Sequence, residues 1–405
     1  MKIVRLLAVV TLLLAARASA APVAPAPVLT VERVVMLVRH GVRAPIDGEV
    51  PQGTRTAAPW PRWPVPAEHL TGHGAQAMTI LGAEDRRILI AAGLLPPNGC
   101  PATQTVEIHA NTAERTIASG AALAAGLAPG CAITVDHRAA GEVDPLFEPL
   151  RAGATRFDPR AAIADIQRYT GGVDALARRH AAASAKLDML LGCGTPQGCS
   201  PLTPSRVLPS ADGRGIDLSG PIRTSSGTAQ VLLLQYAEGL EAPGWEHVDA
   251  PALREVGALH AALFDVFSRP PYMAAHQAAA LGRHMLAALT APRAAPIDVL
   301  VGHDTNVTAL AAVLHVPLRA PGYAEGDVAP GGAIWLERLY DPASGRRYVR
   351  ASYHSQSPEA LGTLSPVVTV TPLPIPGCGA GGICDLAAFD RMIRSRLAAL
   401  RQPDQ

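Results

Sequence analysis

Three short apolar runs limit what this chain can fold into. They are residues 34–38 (VVMLV), the stretch carrying Val106, Ile108 and Ala110, and residues 297–301 (IDVLV). A strand that is apolar almost throughout must be covered on both faces. Strands of that kind, each followed by a helix-like segment, build a mainly parallel α/β sheet flanked by helices. Residues 75–92 and 114–127 have helical periodicity and stop at Gly93 and at Pro129-Gly130. Residues 132–135 read as a further strand.

From 151 to 268 the pattern is mostly helical, with helices expected over 161–168, 173–189, 227–239 and 252–267. A Gly-, Pro- and Ser-rich loop at 192–220 interrupts them. This segment reads as a helical cap domain inserted into an α/β core formed by 21–150 and 269–405. The apolar helix TAQVLLLQYAEGL within it reads as core packing. Strands at 333–338 and 347–353 and a closing helix at 385–401 complete the expectation. No internal repeat is present.

The first twenty residues have a basic start (Lys2, Arg5), an eleven-residue apolar run at 6–16 and the small-residue site Ala18-Ser19-Ala20. That is the layout of a secretory signal peptide, too short in its apolar part to span a bilayer. The expected location is therefore the periplasm or the medium, with no membrane association once the signal is cleaved. Six cysteines are consistent with an oxidising compartment. Pairs 193/199 and 378/384 lie in short Gly-rich loops and read as local bridges. The full connectivity stays open among the fifteen pairings that six cysteines allow. A zinc site lacks the C-x₂-C spacing it would need. A net charge of +1 and 4% aromatic residues argue against a nucleic-acid partner.

The first apolar run ends in Arg39-His40-Gly41-Val42-Arg43-Ala44-Pro45. Ligands of open parallel sheets bind beyond the carboxyl ends of the strands. Arg39 and Arg43, four apart, would share a face of a helical turn starting there. Two guanidinium forks beside an imidazole suit a phosphate. Gly41 would let an anion approach the backbone, and the arginines would keep His40 neutral in acid. The third run ends in Gly302-His303-Asp304, which can donate to a phosphoryl oxygen and protonate a leaving alkoxide; alone, Asp304 reads as a helix N-cap. After the second run, His109-Ala110-Asn111-Thr112-Ala113-Glu114-Arg115 opens a helix, so Arg115 and the helix N-terminus are further anion donors. His69 and His73 read as structural or surface residues, Asp136-His137 as a turn, and Gly331-Gly332 as a close backbone approach or a plain turn.

RHGVRAP at 39–45 together with the distant His303-Asp304 resembles the signature of the histidine acid phosphatases, the branch of the histidine phosphatase superfamily that holds bacterial periplasmic phytases and glucose-1-phosphatases. The resemblance extends through WPRWPVP, GLLPPNGC, AERT, DPLF and PGGAIWLER. It implies an α/β domain with a helical cap and a cleft between them. It implies His40 as the nucleophile that becomes a phosphohistidine, Asp304 as the general acid, and Arg39, Arg43, Arg115 and His303 as the phosphate clamp. It implies no metal and no cofactor, and a small phosphate monoester as substrate.

Departures from the pattern bear on the substrate. Efficient phytases of this family carry a lysine just after the first motif, where this chain has Ile46-Asp47 with Glu49 close by, and an acidic mouth disfavours a polyphosphate. Arginines expected near the end of the cap are missing from MAAHQAAA at 273–280. Thr305 and the stretch 60–135 are phytase-like. The expected function is an exported acid phosphatase, with phytate hydrolysis favoured and a glucose-1-phosphatase, sugar phosphatase or phosphotransferase as the alternative. A non-catalytic phosphate-ester binding protein is the remaining alternative, and the presence of both His40 and Asp304 speaks against it.

Overall fold

Strand β1 (Thr30–Arg39) sends alternate side chains into two different cores. Val35 and Leu37 point to one, and Val34, Met36 and Val38 to the other. Each fully buried aliphatic side chain of this kind contributes about 1.5–3 kcal/mol. These relations come from a computed structural model, which describes residues 29–194, 198–240, 245 and 247–399. The expected signal peptide lies outside the described residues.

One core is roofed by α1 (Gly72–Ala91) and α2 (Glu114–Leu127), with β2 (Val106–Ala110) between them in sequence. Thr71 caps α1, its side-chain oxygen accepting from Gly74 N at 2.8 Å. The expected strand at 132–135 shrinks to β3 (Val135–Asp136), which pairs only with Ile108 and His109 at the sheet edge. Cys131, just upstream, is held by its disulfide to Cys100. Asp136 therefore ends a strand, not a turn, and accepts from His109 Nδ1 at 3.3 Å.

A separate core is built by α3 (Pro159–Thr170), α4 (Val173–Arg179), α5 (Ala181–Leu191), the hairpin β4 (Arg206–Pro209) and β5 (Ile216–Ser219), α6 (Pro221–Ala237) and α7 (Ala250–Phe267). The helix expected over 173–189 is two helices. His180 N is shared between the carbonyls of Leu176 and Ala177, which closes α4 and starts α5. The loop at 192–220 contains the hairpin.

Helix α8 (Pro271–Thr290), not foreseen, packs with α9 (Asp304–Leu314) and α11 (Leu386–Ala399) against the other sheet face. Met273, Ala274, Ala275, Ala278 and Ala279 are all buried, with Ala274 and Ala278 in the core under the sheet and Met273 in the helical core, so this segment packs. Strands β6 (Ile297–Gly302), β7 (Ala333–Tyr340), β8 (Arg347–Ser355), β9 (Thr369–Pro372) and β10 (Cys384–Asp385), with the short α10 (Pro358–Gly362), complete the chain. The sheet runs β10-β8-β7-β1-β6-β2-β3, with β9 on β8. Strands β1, β6 and β2 are mutually parallel, in register at Arg39 beside Gly302 and Val301 beside Ala110, while β7 and β8 are antiparallel. The parallel register sets the three expected chemical segments side by side at one end of the sheet.

Disulfides link Cys100–Cys131, Cys193–Cys199 and Cys378–Cys384. His69 Nδ1 and His73 Nε2 donate to the carbonyls of Ala67 and Leu361, a structural role. Among the described residues no helix is long and apolar enough to cross a membrane.

Candidate active site

Where β1 ends, the chain stays extended. Ala44 N donates to His69 O and Thr71 N to Val42 O, and Arg43 pairs with Leu70 in a β-bridge. The helical turn expected at 39–43 is therefore absent, because this segment finds a strand-like partner instead. Arg39 and Arg43 reach the site separately. His40 is 3% exposed. Its N–H bonds Gly302 O and its carbonyl accepts from Gly331 N, so both neighbouring strand ends hold it. Its Nδ1 lies 2.8 Å from Gly41 O, a carbonyl that can only accept, so Nδ1 carries the hydrogen and Nε2 presents a lone pair. Burial, then the charges of Arg39, Arg115, Arg43 and His303, hold His40 well below the usual histidine range. Burial leads; the arginines alone were expected to do this.

Gly41 does not serve an anion. A Cβ there would lie 2.8 Å from Met78 Cγ, 3.1 Å from Leu70 Cδ1 and 3.2 Å from Gly74 O. The missing side chain makes room for helix α1, and Gly41 N donates to Ser119 Oγ.

His303 caps α9 and lies 5.6 Å from the His40 ring, centroid to centroid. Asn111 fixes its tautomer. Asn111 Oδ1 accepts from Thr112 N, so Nδ2 is the atom that donates to His303 Nε2 at 2.8 Å. Burial and the Arg115 charge pull His303 down to about 3, so it is neutral in moderate acid. Asp304 is the first residue of α9, not its cap, and its Oδ1 accepts from Thr305 N at 2.7 Å. Burial would raise its pKa, but Arg39, 3.0 Å away through Nη2, together with His260 and His303, brings it down to about 2.

A cavity of about 330 Å³ opens over these groups. His40, Arg43, Ile46, Asp47, Arg115, His303, Asp304 and Thr305 all line it, so eight of the nine residues singled out in the sequence meet there. Arg39 does not. It is fully buried, bonded to Val328 O and ion-paired with Asp304. Arg43 is gripped by both oxygens of Glu49, at 2.6 and 2.8 Å, and Arg115 meets Glu68 at 3.1 Å. The Nε atoms of Arg39, Arg43 and Arg115 are buried with no hydrogen-bond partner among the described residues. The helix end at the cavity is that of α9; from α2 only Arg115 reaches it.

Sequence reasoning missed Arg223, Ser226 and Gly227 on α6, His260 and Leu263 on α7, and Glu148. Arg223 lies just before the helix expected over 227–239 and His260 within the one expected over 252–267, and nothing local marks either. A larger cavity of about 620 Å³, lined by Tyr169, Arg269 and His315 among others, lies away from these groups.

The sequence profile of the histidine phosphatase superfamily (branch 2) matches residues 30–162. The chain is 32% identical to phytase AppA of Escherichia coli (strain K12), covering 91% of this chain and 92% of that one. It is 30% identical to glucose-1-phosphatase of Salmonella typhimurium, covering 90% and 92%. Among solved structures, Hafnia alvei phytase in complex with myo-inositol hexakis sulphate superposes with a TM-score of 0.84 at 30% identity, over 93% of this chain and all of that one. Likeness of this extent, running through both the sheet and the helical layer, establishes that the chain belongs to the histidine phosphatase superfamily, branch 2, and is a phosphatase of the histidine acid type.

Proposed function

We propose that this protein is an exported acid phosphatase that hydrolyses phosphate monoesters through a phosphohistidine on His40. The observation that carries the reading is the fixed tautomer of His40. Its Nε2 carries the lone pair and has no hydrogen-bond partner among the described residues, and His40 lines a cavity walled by Arg43, Arg115, His303 and Asp304. The arginines and His303 hold the phosphoryl oxygens, and the first turn of α9 adds its dipole. Arg39 lies beneath and adds its charge. His40 Nε2 attacks phosphorus while Asp304 protonates the leaving oxygen; water then attacks the P–N bond and returns a proton to Asp304. Because burial keeps His40 neutral, the nucleophile persists in acid. Asp304 is ionised in the free site, and a bound phosphoryl dianion offsets the arginine charge that pulls its pKa down.

The described parts of the α/β core assigned to 21–150 and 269–405 and of the cap assigned to 151–268 together form the cleft, whose wall takes residues from both. The three disulfides support export to the periplasm or medium.

Phytate is the substrate favoured. Arg223 reaches the cavity from α6 and, among the described residues, no carboxylate pairs with it, so it suits a second phosphate of a polyphosphorylated ring. The relatives compared include phytases with coverage above nine-tenths. Glucose 1-phosphate is the second reading, supported by Asp47 at the cavity wall, which opposes dense negative charge. Rates on phytate, glucose 1-phosphate and p-nitrophenyl phosphate at acidic pH test both. His40→Ala should abolish all three; equal rates with and without His40 would sink the mechanism. Arg223→Ala should lower kcat/KM on phytate about tenfold and spare the monophosphates. Equal losses on all substrates would remove Arg223 from substrate selection.

A further inference from the structure

Beside Asp304 lies a second buried ionisable pair. His260 on α7 is 6% exposed, and Asp327, in the loop before β7, is 2% exposed. His260 Nδ1 is 2.8 Å from Asp327 Oδ1, and its Nε2 is 3.8 Å from Asp304 Oδ2. Asp327 Oδ1 also accepts from Val328 N at 2.8 Å. A carboxylate only accepts, so His260 Nδ1 is the donor and Nε2 is the atom turned to Asp304. As a bare lone pair, Nε2 would repel the Asp304 carboxylate. A single proton held between them turns that repulsion into attraction. At 3.8 Å the two are in ion-pair range but beyond a hydrogen bond, and a shift of about 1 Å closes it.

The surroundings make this more than a packing detail. Val328 O accepts from Arg39, and Arg39 Nη2 ion-pairs with the same Asp304 Oδ2, so Arg39, Val328, Asp327, His260 and Asp304 form a closed ring. The Phe264 ring packs edge-on against His260 with centroids 4.8 Å apart. The charged groups around the imidazole are Asp327, Asp304 and Glu49, with Arg39 and Arg43 acting on the same carboxylates.

We infer that His260, anchored by Asp327, is a positioning residue that holds one proton in common with Asp304 and keeps that acid loaded for the leaving oxygen. The inference rests on Asp304 being the general acid. Before the substrate binds, the proton lies on His260 Nε2, beside the ionised Asp304. When the phosphoryl dianion sits on Arg43 and Arg115, the proton passes to Oδ2. As the ester P–O bond breaks and the bond from phosphorus to His40 Nε2 forms, Asp304 gives that proton to the departing alkoxide, leaving His260 neutral. Water then bonds phosphorus and loses a proton to Asp304, and the P–N electron pair returns to His40. The proton count is restored, and no other reactant is needed.

His260→Asn keeps a donor for Asp327, because its amide nitrogen replaces Nδ1, and removes Nε2. Asp327→Asn keeps the shape and removes the anchoring charge. Both are measured on an alkyl phosphate (glycerol 2-phosphate) and on p-nitrophenyl phosphate, whose leaving group needs little protonation. The loss in kcat on the alkyl ester should exceed that on the aryl ester by at least about tenfold in each variant. The alkaline limb of kcat for the alkyl ester should move to lower pH. Adding Asp304→Asn should bring little further loss, since the two act as one unit. Equal losses on both esters with an unmoved pH profile would overturn the inference and leave a structural pair; so would no loss in either variant. His40→Ala separates this from the mechanism itself: full activity in that variant would sink the phosphohistidine reading whatever the His260 variants do.

Discussion

Gly227 is where the helical layer touches the proposed phosphate clamp. It lies in α6, and a Cβ there would fall inside the contact shell of Glu49 O and lie 3.0 Å from Glu49 C. Carbon–carbon contacts settle at about 3.5–4.0 Å, so in Gly227→Ala the carbonyl carbon alone makes the loop retreat by roughly 0.5–1 Å, and the tighter contact with Glu49 O asks for more. Helix α6 cannot give instead, because nearly every residue from Ile222 to Ala237 is buried. The retreating residue is Glu49, whose two oxygens hold Arg43 and whose carboxylate also accepts from Ile46 N at 2.8 Å. Arg43 should move with it.

Overpacking of this kind costs about 1–3 kcal/mol. With an unfolding entropy of about 2.1 cal/mol/K per residue, the chain has roughly 0.8 kcal/mol/K, so Tm should fall by about 1–4 °C. A misplacement approaching 1 Å at a phosphate ligand costs on the order of 10² in rate. The expected result is a small fall in Tm by calorimetry with a drop in kcat/KM on p-nitrophenyl phosphate of about 10²-fold. Gly215→Ala serves as a control, since its Cβ meets only Ser210, at 3.5 Å and beyond. If Gly227→Ala loses Tm but keeps kcat/KM within about threefold, α6 does not set the position of Arg43 and the reasoning fails.

Two further outcomes follow from the site. Gly41→Ala should lower stability by about 1–3 kcal/mol through Met78, Leu70 and the Gly74 carbonyl; a raised KM at unchanged Tm would instead return Gly41 to a role in anion approach. The free enzyme should lose stability in acid. His303 stands at about 3 against an ordinary 6.5, and Asp304 at about 2 against 3.8. Each binds fewer protons folded than unfolded, so their stabilisation is present above the unfolded values and is lost as pH falls, from 6.5 toward 3 for His303 and from about 4 toward 2 for Asp304. His303 alone corresponds to on the order of 5 kcal/mol. Thermal melts between pH 7 and 3.5 should show a falling Tm with a shallower slope in His303→Gln, and a flat wild-type curve would contradict the buried neutral imidazole.

The parts of the molecule legible in the sequence are those where local pattern and tertiary role coincide. Helix 114–127 was bounded correctly because Pro129-Gly130 ends it, and β6 to within one residue because apolar side chains serve both sheet faces; β1 was found by the same signal at 34–38 but starts earlier, at Thr30, where the run is no longer apolar. His40, His303 and Asp304 follow such strands directly, so the parallel register alone brings them together. Helix α8 was missed because its alanines bury almost every face and leave little polar stripe to read. Gly41 was misread because its neighbour in space is an α1 methionine distant in sequence. His260 and Arg223 were illegible for a related reason: a helical histidine or arginine gains its meaning only when another element brings a carboxylate or a cavity to it.

The same geometry bears on what the enzyme prefers to bind. Each arginine foreseen at the site already faces a carboxylate: Arg39 with Asp304, Arg43 with Glu49, Arg115 with Glu68. An incoming phosphate must compete with these partners, which weakens binding of the ester and of the phosphate product alike. The buried Nε atoms keep their capacity, so the competition is for charge more than for hydrogen bonds. Arg223 is the exception, lining the cavity with no carboxylate paired to it among the described residues. A substrate with a second phosphate gains an interaction that costs no existing pair, whereas a simple monoester gains none. Discrimination between phytate and glucose 1-phosphate therefore depends on whether the gain at Arg223 exceeds the repulsion at Asp47. Because both act as charges near the surface, salt should narrow the difference between the two substrates without changing the chemistry at His40.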